Sequence, residues 1–168
     1  MHFARKLFCM ILMATALQSE EYFMFSPKQV SSHLVSYDDK EKEDIAKDLE
    51  VVRSVCHVKE APSKDRPFYL ASAGGPGSRK STILERFIES HPEFQSGVYL
   101  DPDQRALKFM AHTYYDKSLN ALQVASKPDY LEIQKGAYEK WRGASNYITL
   151  MLLEEALQKR ATSFTARP

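Results

Sequence analysis

The sequence predicts an α/β fold, a parallel sheet with flanking helices that follows a helical N-terminal extension, and three stretches carry that prediction. Residues Phe68 to Thr82 read F-Y-L-A-S-A-G-G-P-G-S-R-K-S-T: a short apolar run, a glycine-rich break, then the opening of a helix. Gly97-Val98-Tyr99-Leu100 is a second short apolar run and ends in Asp101-Pro102-Asp103. Lys40 to Val55 sets Ile45, Leu49, Val52 and Val55 at helical spacing. Short apolar runs bounded by proline and glycine fit buried strands of a parallel sheet. Two such strands joined by one helix form a right-handed βαβ unit.

Taken in order, residues 1–19 begin M-H-F-A-R-K, continue through an apolar run from Leu7 to Leu17 and end in Gln18-Ser19. A basic start, an apolar stretch and small residues such as Ala14 and Ala16 resemble a secretory signal peptide, and the run is too short for a stable membrane span. The competing expectation is a buried first helix of a cytoplasmic protein. Residues 20–36 show no decisive period around Pro27. Asp38 or Asp39 caps the helix that runs to Val55. The loop Ala61 to Pro67 feeds the first strand, and His91-Pro92 stops the helix after the glycine break. A helix is expected from Gln104 to about Tyr114, with Asp103 as its cap, and the longest helical pattern runs from Asp129, after Pro128, to about Arg160. Gly143-Ala144-Ser145-Asn146 marks a break, a kink or a substrate contact in it. Ala161 to Pro168 carries no strand pattern. The domain division is therefore an extension over 1–60 and a main unit over 61–168.

Composition narrows the partners. A chain of 168 residues with a formal net charge of +1 gives no global electrostatic case for nucleic acid or an acidic membrane surface. Cys9 and Cys56 are its two cysteines, too few for a disulfide framework and without metal-ligand spacing.

The glycine break is where chemistry concentrates. Residues without a Cβ let successive N–H groups turn inward as a nest for an anion, and the next helix adds free N–H groups and its positive dipole end. Gly74, Gly75, Pro76, Gly77, Ser78, Arg79, Lys80, Ser81 and Thr82 are thus the expected nucleotide-binding residues. Lys80 would reach the outer phosphates of ATP or GTP, and the Ser81 hydroxyl would hold Mg²⁺. The pattern G-x-x-x-x-G-K-[ST] asks for glycine where this chain has Arg79, so a conformation reserved for glycine would be strained there. Parallel strands bring their C-terminal ends to one edge, so Asp101 and Asp103 emerge beside the loop. A carboxylate there could accept a proton from a substrate hydroxyl or bind Mg²⁺ through water.

These residues together resemble the zeta toxin family of P-loop kinases: Gly74-Gly75-Pro76-Gly77-Ser78 with Lys80-Ser81-Thr82, then Val98 to Asp103 with Arg105, and onward through Ser145-Asn146. The resemblance covers roughly Phe68 to Arg160. It implies a P-loop kinase-type parallel sheet and phosphoryl transfer from a nucleoside triphosphate to a small-molecule acceptor, a hydroxyl of a nucleotide sugar or related nucleotide. It also implies an effector or toxin setting with an antitoxin-like protein partner. By position, Asp103 in preference to Asp101 would activate the acceptor, and Arg105 would position substrate phosphate or the carboxylate. Leu150 stands where the nucleotide-sugar kinases carry a glutamate. Members of the family continue into a further strand, so the expected sheet is incomplete, and the alternative function is a catalytically inactive truncated remnant that binds nucleotide or a partner protein.

Overall fold

The computed structural model describes residues 25–73, 77–123, 126–161 and 163–166. The leader-like segment 1–19 and loop residues Gly74, Gly75 and Pro76 lie outside the described residues. Helices account for most of the structure. α1 (Pro27–Ser32) starts at a capping box in which the Ser26 and Gln29 side chains each serve the other's backbone N–H. α2 (Asp39–Val55) starts the same way: Asp38 Oδ1 accepts the Glu41 N–H at 2.8 Å and Glu41 accepts the Asp38 N–H at 3.2 Å. It ends with His57 in the left-handed region, where the His57 and Val58 N–H groups return to the Ser54 and Arg53 carbonyls.

β1 (Tyr69–Ser72) leads through the glycine break into α3 (Lys80–Ser90). His91 and Pro92 end α3, as the sequence implies, and Pro92–Phe94 form a 3₁₀ turn. Phe87 stacks on His91 at 4.1 Å between ring centres, Phe94 stacks on Phe87, and Phe68 meets Phe94 edge-on. After β2 (Val98–Leu100) the chain makes two π-helical turns, Pro102–Leu107 and Ala111–Tyr115. α4 (Asp116–Leu122), α5 (Lys127–Gln158) and β3 (Ser163–Ala166) complete the order.

Two expectations are corrected here. The predicted sheet-centred fold, a P-loop kinase-type parallel sheet flanked by helices, gives way to a mostly helical protein. Among the described residues the strands number three, of four, three and four residues, in one parallel sheet of order β1-β3-β2. Proline and glycine at the ends of the apolar runs keep the strands this short, and the helices supply the bulk of the core. The second correction concerns the tail, expected to lack a strand. Ser163–Ala166 forms β3 and lies between the other two, with Ser163 in register with both Tyr69 and Val98. Its pairing comes from neighbours on both sides, so no apolar run of its own is needed.

The core joins α2 to α5 and the segment after β2. Ile45 and Val52 of α2 belong to one buried cluster with Ile148, Leu152 and Leu153 of α5 and with Leu100 and Met110. Each such side chain contributes roughly 1.5–3 kcal/mol through removal from water. Asp48 is fully buried in that cluster's edge, accepting the His112 N–H at 2.8 Å and the Thr113 hydroxyl, which ties α2 to the second π-helical turn.

The break expected at Gly143 to Asn146 does not interrupt α5, which runs unbroken to Gln158. What the small residues admit is a side chain. Tyr37, stacked on Trp141 at 5.4 Å, donates its hydroxyl to the Lys140 carbonyl at 2.6 Å and accepts the Ala144 N–H at 3.0 Å. These are the two ends of one helical rung, so the phenol enters the hydrogen-bond ladder itself. A Cβ on Gly143 would lie 3.0 Å from the His33 carbonyl oxygen and 3.2 Å from the Tyr37 hydroxyl.

Candidate functional site

The loop approaches α3 through Gly77 at φ 75° and Arg79 at φ 60°, ψ 31°. Arg79 thus occupies the left-handed conformation that the motif assigns to glycine, and its side chain makes no cap to α3. Lys80 and Ser81 open the helix, and the exposed Thr82 follows. Two hydroxyls near the loop, on Ser72 at the end of β1 and on Ser78 within it, have buried oxygens with no hydrogen-bond partner among the described residues. Ser72 is 6% exposed. A buried hydroxyl without a partner is costly and signals a group that a ligand or water completes.

Opposite the start of α3 lies the end of β2. Asp101, 3% exposed, accepts the Ser81 hydroxyl on Oδ2 at 3.2 Å, the Tyr99 hydroxyl on the same oxygen at 3.2 Å, and the Asp103 N–H on Oδ1 at 2.8 Å. Burial, and then the Asp101 carboxylate, push the Tyr99 phenol well above its ordinary range, so it stays a donor. The backbone beyond Asp101 is not the expected α-helix from Gln104. Its carbonyl accepts both the Arg105 N–H at 2.9 Å and the Ala106 N–H at 3.0 Å, the wide spacing of a π-helical turn. Asp103 therefore lies inside this turn and not at a helix cap, and the capping carboxylate is that of Asp101.

Asp103 faces α5. Its Oδ1 accepts the Tyr138 hydroxyl at 3.2 Å and the Arg142 guanidinium, while 44% of its side chain stays exposed. Arg142 lies over the Tyr138 ring, 5.4 Å from its centre, and bonds its hydroxyl. One turn on, the Ser145 hydroxyl donates to the Pro102 carbonyl, so three residues along one face of α5 hold the Asp101–Asp103 segment. Burial draws the Arg142 pKa below the ordinary guanidinium range, and the Asp101 carboxylate works against that shift. Tyr138 and Arg142 were not among the residues expected from sequence. Their spacing of four, continued three residues later at Ser145, is a polar stripe beside the apolar face of Trp141, Ala144 and Ile148, and that stripe is the only signal they give.

Arg105 goes elsewhere. Its guanidinium lies 5.2 Å from the centre of the Tyr99 ring and lines a cavity of about 660 Å³ with Cys56, Glu85 and Phe94. Among the described residues it makes no hydrogen bond or ion pair to Asp101 or Asp103. Burial raises the Cys56 thiol to about 11, so it is not a poised nucleophile.

Ser81 and Asp101 are the residues that could hold a Mg²⁺ ion here. Such an ion keeps several waters and uses one or two protein oxygens plus substrate phosphates. A hydroxyl and a carboxylate oxygen already within hydrogen-bond distance, on Ser81 and Asp101, are such a pair. No described group of three or more His, Cys, Asp or Glu gathers into an all-protein metal cage. No described helix is long and apolar enough to cross a membrane. Comparison of the chain with protein-family models, with curated proteins and with solved structures finds no match.

Proposed function

We propose that this protein binds a magnesium–nucleoside triphosphate at the opening of α3 and transfers the γ-phosphoryl group to a hydroxyl of a small molecule. The observation that carries the reading is the meeting of Ser81 with Asp101 beside Lys80. A hydroxyl and a carboxylate supplied by separate elements converge where helix N–H groups favour an anion. The unpartnered hydroxyls of Ser72 and Ser78 support it, since both can donate to phosphate oxygens.

In the proposed reaction the acceptor oxygen attacks the γ-phosphorus, the bond from that phosphorus to the β–γ bridging oxygen breaks, and the nucleoside diphosphate leaves. Asp103, the more exposed carboxylate, takes the acceptor proton. Asp101, buried beside the Ser81 and Tyr99 hydroxyls, is suited to orienting Ser81 and reaching Mg²⁺. The bound Mg²⁺ would neutralise charge on the outer phosphates. Lys80 would bind those phosphates, and Arg79 would add positive charge at the rim. The acceptor class remains the one the resemblance implies, a nucleotide sugar or related nucleotide, and the activity belongs in the cytoplasm, where the triphosphate is available. An antitoxin-like protein would be the corresponding partner.

A second reading, a remnant that binds nucleotide without transferring from it, is favoured by the engagement of Asp103 with Arg142 and Tyr138. Titration calorimetry with MgATP tests the shared premise. Lys80→Ala is expected to lose on the order of 1.5–3 kcal/mol of binding, and equal affinity for the two proteins removes the phosphate-loop assignment. Transfer of labelled γ-phosphate to a panel of nucleotide sugars and dinucleotides then separates enzyme from remnant.

A further inference from the structure

We infer that Arg142, reaching in from α5, is a ligand of the transferring phosphoryl group. This rests on the nucleotide reading above and names a residue for that same site. The guanidinium is held at the mouth between Asp103 and the Tyr138 ring, and only 20% of the side chain remains exposed. Partly buried and still reaching solvent, it uses only part of its donor set within the protein, which leaves the rest for water or an anion. Both its hydrogen bonds leave from Nη1, to Asp103 and to Tyr138, so Nε and Nη2 have no partner among the described residues.

The placement suits an anion. Ser81 touches the Asp101 end of the Asp101-Pro102-Asp103 segment and Arg142 touches its Asp103 end. An outer phosphate held at the opening of α3 and leaning toward Asp103 would therefore meet the unused edge of the guanidinium, whose fork matches two phosphate oxygens. Asp103 and Tyr138 orient the fork from the Nη1 side, and the Ser145 bond to the Pro102 carbonyl fixes the distance between α5 and the turn. An arginine so placed stabilises charge on the phosphoryl oxygens as the bond to the diphosphate breaks. It contacts the γ-phosphate and no part of a diphosphate.

The last point sets the experiment. Calorimetry with Mg²⁺ compares the β,γ-imido analogue of ATP with ADP on the full chain, for wild type, Arg142→Gln, Arg142→Lys and Lys80→Ala. Arg142→Gln is expected to weaken the triphosphate analogue about tenfold or more and ADP less than about twofold, from loss of a charge-assisted contact to the outer phosphate alone. Arg142→Lys, which keeps the charge without the fork, falls between. Lys80→Ala weakens both ligands. Should Arg142→Gln not fold, Arg142→Lys is read in its place for the same selective loss. Equal loss for both nucleotides, or no loss for either, overturns the inference and leaves the nucleotide reading standing on the Lys80 result. A wild type that binds neither nucleotide overturns both.

Discussion

Replacing Arg79 by glycine isolates the backbone cost of the loop. Arg79 sits at φ 60°, ψ 31°, with no side-chain bond to the helix it precedes. A left-handed conformation costs an L-residue roughly 1–2 kcal/mol and glycine almost nothing. Glycine also loosens the unfolded chain, which returns about 0.5–1 kcal/mol to that state. Arg79→Gly should therefore stabilise the fold by about 0.5–1 kcal/mol, a rise of roughly 1–4 °C in Tm for a chain of this size. Urea denaturation followed by circular dichroism measures it, with the midpoint rising and the slope unchanged. Among the described residues, His57 at φ 53° and Arg160 at φ 59° share the conformation without lying near the loop. His57→Gly should give a similar gain. Arg160→Gly should give less, because the Arg160 guanidinium donates to the Asp65 carbonyl at 2.9 Å. If His57→Gly stabilises and Arg79→Gly does not, the Arg79 side chain makes a compensating contact and the strain account of the loop is wrong.

Three more expectations follow from other contacts. Gly143→Ala should destabilise by about 1–3 kcal/mol despite better helix propensity, because its Cβ would press on the His33 carbonyl and the Tyr37 hydroxyl; a thermal melt at or above wild type would refute the rung insertion. Burial raises the Asp48 pKa, so the folded state holds that proton more tightly than the unfolded state. Its stability contribution is present below the ordinary aspartate value of about 3.9 and is lost as pH rises through the raised folded value. The stability difference between wild type and Asp48→Asn, measured by urea denaturation at successive pH values, should therefore shift against wild type across that window. Asp103→Asn should lower phosphoryl transfer by ~10²–10⁴-fold while leaving MgADP binding nearly intact; a loss confined to Asp101→Asn would exchange the two carboxylates' roles.

Local signals in the chain were informative where a local cause sets the structure. Asp38 before an apolar period marked α2, and the observed helix starts at Asp39 under that cap. His91-Pro92 marked the end of α3 for a steric reason that no partner can change. Val98 to Leu100 formed a strand as its apolar run implied, and the carboxylate at its end does meet the helix that follows the glycine break. Features that depend on distant partners were not legible. Ser163–Ala166 is a strand because β1 and β2 flank it. The turn after Asp101 is π-helical where periodicity suggested an α-helix, since its carbonyl serves two N–H groups while Ser145 of α5 holds the turn through the Pro102 carbonyl. Tyr138 and Arg142 reach Asp103 from the other end of the sequence unit, and only the helix–turn packing shows that contact.

The place of β3 also fixes the order in which the site can be completed. Tyr69 and Val98 each pair with Ser163, and β1 and β2 are neighbours only through the strand between them. Closing that sheet requires contacts across most of the main unit, the kind of long-range pairing that comes late because its chain entropy is lost before the contacts form. During synthesis, a chain that has not yet reached residue 163 carries Ser81 and Asp101 on two segments with no strand to set their spacing. The pair that would bind nucleotide is then assembled by β3, which follows both of its partner strands in sequence. Binding competence should therefore appear together with the finished fold, not ahead of it.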